Sequence, residues 1–255
     1  MEPVVWFGWF RADIIAEYAD LFWRGALMTV AITVICVVQG SVLGLAIGVA
    51  RLADARHAPE KQLCRFLFRW PASVYVSFFR GTPLFVQILL VHFAVSPILV
   101  NPVDGWLVSG EAARTIRQDY GAFFSGVLAL TLNAGAYISE VVRAGIQSID
   151  RGQSEAARSL GLSFRQTMQY VVLPQAFRRM LPPLGNNAIA LLKDSSLVSA
   201  IGLSELAYAA RTVAGTYSRY WEPYLTIALV YWMLTLVLAA VVKRLERRYG
   251  RGDTR

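Results

Sequence analysis

Apolar residues along this chain gather in five long blocks, at about 23–50, 71–99, 121–146, 184–206 and 223–242, and the stretches between them hold most of the charge. Blocks of this length reach the ~20 residues with which a helix crosses the bilayer hydrocarbon. A helix satisfies its own backbone hydrogen bonds in lipid, which makes a helical bundle the default over a barrel of alternating strands. The pattern therefore predicts an all-α membrane protein with five transmembrane helices. It divides the chain into a mixed, partly amphipathic lead-in at 1–22, a membrane domain at 23–248 and a short tail at 249–255. The longest polar interval, 148–182, falls between the third and fourth blocks.

Composition sharpens this picture. With 56% hydrophobic residues and a mean hydropathy of +0.45, the chain is no ordinary soluble domain. Its net charge of +8 raises the question of nucleic acid, but placement answers it. Basic residues cluster at Arg51, Arg56, Lys61, Arg65 and Arg69, at Arg143, Arg151, Arg158, Arg165, Arg178 and Arg179, and at Lys243, Arg244, Arg247, Arg248, Arg251 and Arg255. These patches flank apolar blocks and alternate topology puts them on one side, the positive-inside signature of cytoplasmic loops. No nucleic-acid partner is expected. Five spans place the termini on opposite sides, with the acidic start (Glu2, Asp13, Glu17, Asp20) outside and the basic tail in the cytoplasm. Those acids, with the long apolar run after them, also argue against a signal peptide. Cys36 inside a span and Cys64 in a basic loop do not suggest a disulfide, and with His57 and His92 they offer no metal cluster.

Three features interrupt the apolar blocks. Gly40, Gly44 and Gly48 form a small-residue ladder that allows close helix approach, although glycine is also simply common in membrane helices. Arg80-Gly81-Thr82-Pro83 predicts a break near Thr82, either a cavity wall or a turn just inside the cytoplasmic surface. Lys193 and Asp194 fall within the fourth block, where ionisable residues are costly and mark function by default. Neighbours on a helix project about 100° apart. The preferred assignment gives Lys193 a place near a substrate carboxylate or in a gating pair, with Asp194 structural; one interhelical polar network holding both is the alternative. On the third block Asn133, Tyr137 and Glu140 share a face, and Glu140 can also pair with Arg143 three residues on.

The polar interval reads as two short helices around a glycine. Asp150 or Ser154 can cap the first, Glu155 suits its first turn, and Gly161 stops it. Ser163 can cap the second, which Pro174 limits. Such a knob is either a docking surface for a partner or an amphipathic hairpin on the inner leaflet.

Glu155-Ala156-Ala157, three residues, Gly161, nine residues, Val171, one residue and Leu173-Pro174 resemble the EAA loop of bacterial ABC importer permeases, with Val171 where that family often has isoleucine. RGTPLFVQ at 80–87, NAGAYISEVVRAGI at 133–146 and LLKDSSLV at 191–198 are similar to its polar amino-acid uptake branch, the histidine and glutamine permeases. The resemblance implies a type I ABC importer permease fold in the bacterial cytoplasmic (inner) membrane. It also implies a second permease subunit (a copy or a paralogue), a cytoplasmic ABC ATPase dimer and a periplasmic solute-binding protein. Within it, Glu155, Ala156, Ala157, Gly161, Leu173 and Pro174 belong to the ATPase-coupling helix. Thr82, Asn133, Tyr137, Glu140 and Asn187, with Lys193 and Asp194, line the substrate pathway. Related permeases for basic amino acids often carry glutamate at the place of Asn187. A neutral amide there points to a neutral or acidic polar substrate such as glutamine or glutamate.

No GxxxxGK[ST] phosphate loop occurs, so no cofactor is expected on this chain; ATP and Mg belong to the partner ATPase, and the chain is not itself an enzyme. A self-contained secondary transporter or channel is the alternative, and the absence of an inverted repeat weighs against it.

Overall fold

The computed structural model describes residues 10–52 and 65–249. Residues 1–9 of the lead-in, Arg56, Lys61 and Cys64 of the first basic loop, and the tail from 250 onward lie outside the described residues. Elsewhere the chain is almost entirely helical, with one isolated bridge between Val100 and Val108.

A short helix, Ala12–Glu17 (α1), leads into Ala19–Leu52 (α2), and a π-helical turn at Arg65–Arg69 opens Trp70–Gly81 (α3). After the break, Leu84–Leu99 (α4) runs at 110° to the helix before it. Then come Gly110–Asp119 (α5), Gly121–Gln147 (α6), Arg151–Ser159 (α7), Phe164–Thr167 (α8) and Leu173–Asp194 (α9). Leu206–Tyr217 (α10) and Trp221–Tyr249 (α11) complete the chain. By length and apolarity α2, α6 and α11 can each cross a membrane, and the bent pair ending in α4 makes a fourth candidate. The five-span count is thus not reproduced by helix length and composition alone.

The core forms where α2 meets α6. A Cβ on Gly44 would lie 2.6 Å from Ile138 Cγ2, and one on Gly40 would lie 2.9 Å from Ala134 Cβ. The glycine ladder therefore lets the two backbones close on each other. Ile32, Cys36, Leu130, Ala134, Ile138 and Val142 fill the seam, and Val172, Ala176 and Met180 extend it toward the polar interval. A smaller cluster joins α1, the start of α2, α10 and the start of α11 through Ile14, Phe22, Val213 and Ile227. It is closed by buried Glu205, whose carboxylate accepts from Ala207 N and Tyr208 N (both 2.8 Å) and from Tyr231 Oη (2.8 Å).

Two boundaries differ from the expectation. Pro174 does not end a helix: it lies in the first turn of α9, which also carries Pro182 and Pro183. A proline there lacks only a donor, and the π-helical turn at Met168–Val172 just ahead makes room for the ring. The block at 184–206 is also not one helix. α9 stops at Asp194, where Ser195 Oγ bonds back to Leu192 O (2.7 Å). A 3-10 helix, Ser195–Ile201, then turns at Gly202 with φ +85°.

Candidate functional site

The RGTP segment breaks the helix as its proline requires. Thr82 is extended (φ −119°, ψ 150°) between α3 and α4, and the break leaves carbonyls without helical partners. Gln87, buried one turn into α4, supplies them. Its Nε2 donates to Phe79 O (2.8 Å), Thr82 O (3.0 Å) and Thr82 Oγ1 (2.8 Å). Asn133 Nδ2 from α6 donates to Gln87 Oε1 (2.9 Å) and to Phe79 O (3.2 Å). The break is thus held by two amide side chains, as an irregular backbone away from water demands.

That frame forms one wall of a cavity of about 420 Å³ between α2, α6 and α9. Ser41, Thr82, Asn133, Tyr137, Asn187 and Asp194 supply its polar groups, among apolar side chains such as Val37, Ile138 and Leu191. Five of the seven predicted pathway residues therefore meet at one place. Lys193 and Glu140 do not. Lys193 is exposed and lies off the cavity wall, because α9 turns its neighbour Asp194 inward. Glu140 bonds Arg51 and accepts from Arg143 Nε (2.9 Å) and Nη2 (2.7 Å), with Arg80 Nη1 at 3.6 Å. It is a local clamp on the ends of α2, α3 and α6. Arg80 also stacks over the Tyr137 ring, 5.4 Å from its centroid, so the clamp sits directly against the cavity wall.

Gln87 was not among the residues singled out by sequence. It stands at the end of the RGTPLFVQ fragment, and a buried amide five residues after a broken threonine was the available signal.

The second part of the site is the polar interval. Asp150 caps α7, accepting from Gly152 N (2.6 Å). The cap is thus Asp150 and not Ser154, and the helix starts early enough that Glu155 falls beyond its first turn. At the other end Gly161 N bonds Arg158 O (3.0 Å) and Leu162 N bonds Ala157 O (3.2 Å), a Schellman closure with Gly161 at φ +89°. Ser163 begins the next helix at once with a full capping box: Ser163 N to Gln166 Oε1 (2.9 Å) and Gln166 N to Ser163 Oγ (3.3 Å). Ala157 is buried, while Glu155, Ala156, Leu160, Phe164, Leu173 and Pro174 are exposed. Arg179 Nη1 ties the knob's base to the end of α6 through Ser148 O (2.6 Å).

A lipid-facing helical bundle with a polar internal cavity and a stiff external knob defines the class: a membrane-embedded transport subunit. Residues 63–251 match the binding-protein-dependent transport system inner membrane component family, and the chain belongs to it. It is 36% identical over 225 residues to the glutamine transport system permease protein GlnP of Escherichia coli, covering 88% of this chain and 91% of that one. It is 33% identical over 230 residues to the arginine transport system permease protein ArtQ of Bacillus subtilis, covering 90% and 93%. Among solved structures, an amino acid ABC transporter crystallised with histidines superposes with a TM-score of 0.74 at 35% identity, over 92% of this chain and 96% of that chain. The inward-facing MetNI methionine ABC transporter, at 21% identity and a TM-score of 0.70, shares the fold.

Proposed function

We propose that this permease carries a polar amino acid with a neutral side chain, of the glutamine type, and is driven by a separate cytoplasmic ATPase dimer that binds ATP and Mg. A periplasmic solute-binding protein delivers the substrate, and a second permease subunit completes the pathway across the inner membrane, with the N-terminus outside. The observation that carries this reading is the knob at 150–174, a short helix closed by Schellman bonds and followed by a capping box. Those features stiffen a protrusion that the bundle itself does not need. Its exposed side, with Glu155, Ala156, Gly161 and Leu160, enters a cleft on the ATPase, and Leu173-Pro174 joins it to α9.

In the cavity, Asp194 faces the substrate's ammonium, while Asn133, Asn187 and Thr82 meet its polar groups. Among the described residues no lysine or arginine lines the cavity, which favours glutamine over glutamate. Asn187, being neutral, supplies no second carboxylate for a cationic side chain.

The test is co-purification. The wild-type chain should pull down its ATPase, and a chain with 155–161 scrambled should not, while inserting normally in the membrane. Retention of the ATPase by the scrambled chain would remove the coupling role, and transport by the chain alone would favour a secondary transporter.

A further inference from the structure

The loop between α4 and α5 presents three apolar side chains to the outside: Val103, Trp106 and Leu107 are 88%, 81% and 70% exposed. The loop is nevertheless tightly built. Trp106 N bonds Ile98 O (3.0 Å), Leu107 N bonds Leu99 O (2.9 Å) and Asn101 N bonds Val108 O (3.1 Å). Val103 N is held by Asn101 Oδ1 (3.0 Å). A Cβ on Gly105 would lie 2.1 Å from Val108 O, so the turn has no room to spare. Folding here has fixed an apolar tip outward that a water-exposed loop has no reason to keep.

The backbone bonds set its height. Residues 106 and 107 lie beside 98 and 99, level with the last turn of α4. That end of α4 is also level with the start of α6: Ser96 and Pro97 line one pocket with Gly121, and His92 Nδ1, midway along α4, lies 2.7 Å from Ser125 Oγ one turn further into α6. α6 has 27 residues, so the loop and the coupling knob sit about 40 Å apart on opposite faces of the bundle. Down α4 runs a stripe of exposed apolar residues, Val86, Leu90, Phe93 and Ile98, and Trp106 continues it at the level of Ile98. On the far side of the loop, α5 is polar, with Glu111, Arg114 and Arg117 exposed.

We infer that the loop at 100–109 is an interfacial anchor, with Trp106 and Leu107 inserted into the boundary layer of the leaflet opposite the coupling knob. The partner is lipid. A tryptophan at the end of an apolar stripe, bordered by a charged helix, matches the aromatic belt of that layer, where an indole lies in apolar surroundings beside water. The anchor holds one end of α4, whose other end, Leu84, is part of the cavity wall. It therefore sets the depth of the broken segment in the membrane.

Depth-dependent quenching tests this on the full permease complex in nanodiscs. Trp106→Cys and Leu107→Cys would each carry a small environment-sensitive fluorophore, with Glu111→Cys as the reference on the polar helix. Cys64→Ser removes the competing thiol, and Cys36 is buried and stays. At 106 and 107, lipid bearing a shallow doxyl group should quench about threefold more than aqueous iodide, with the order reversed at 111. Iodide dominating at 106 and 107 would place the tip in water, as a surface for a soluble partner. Protection from both quenchers would mean that another protein chain covers it. Either result overturns the anchor.

Discussion

A single amide, Gln87, bridges what Pro83 interrupts. It donates to two backbone carbonyls and the Thr82 hydroxyl while receiving Asn133. Gln87→Leu keeps the volume but takes the side-chain donor from Thr82 O and leaves Asn133 Nδ2 with Phe79 O alone, at about 1–3 kcal/mol for a buried group left unpaired. The expected result is a lower melting temperature of the purified complex and transport reduced more than expression; an unchanged melting curve would show that the break is held some other way. Gln87 escaped the sequence reading because intramembrane charges attract attention and amides do not. For the neighbouring pair at 193–194, spacing said only that the two diverge, and the preferred placing of Lys193 on the pathway is reversed: Asp194 lines the cavity and Lys193 does not. Specificity is a residue-scale matter as well. In Asn187→Glu, competition by arginine against labelled glutamine uptake should strengthen roughly tenfold or more, the effect of about 1.4 kcal/mol. No change in the competition curve would locate selectivity in the binding protein.

At the scale of elements, the knob is governed by backbone conformation more than by packing. A Cβ at Gly161 would meet nothing within 4 Å, but φ is +89°. Gly161→Asn should therefore couple nearly normally, because asparagine tolerates the left-handed region. Gly161→Val should lose substrate-stimulated ATPase activity with membrane insertion intact. Equal activity of the two variants would show that space on the ATPase side, and not turn geometry, is what the glycine provides. The helix–glycine–helix layout was legible in the spacing of Asp150, Gly161 and Ser163, since caps are local chemistry. The continuation through Pro174 was not. Proline rules describe the α-helical ladder, and here a π-helical turn precedes the ring.

Across the whole molecule, apolar length identified α2, α6 and α11 directly, α11 because it is surrounded by apolar solvent and α6, 61% buried, because it is the centre of the core. The α11 window is only 6% buried. α9 has no such signal: its apolar side chains share the helix with asparagines, prolines and Lys193-Asp194, and tertiary packing carries it. Where that helix ended was decided by serines and Gly202, local features hidden inside a block that averages as apolar. Charge bias speaks to orientation. A protease-sensitive tag after Arg255 should be cut in inside-out vesicles and protected in right-side-out ones; the reverse pattern would invert the topology.

One contact made by α9 divides that helix into two arms. At Gly185 the helix touches α11 so closely that a Cβ would lie 2.2 Å from Val242 Cγ1. Gly185 stands about 18 Å from the knob end at Leu173 and about 14 Å from Asp194. With the contact as a fulcrum, α9 is a see-saw with nearly equal arms. Under the proposed coupling, a push at the knob tilts α9 about this contact and carries Asp194 the opposite way, while Leu184 and Asn187, beside the fulcrum, stay nearly in place.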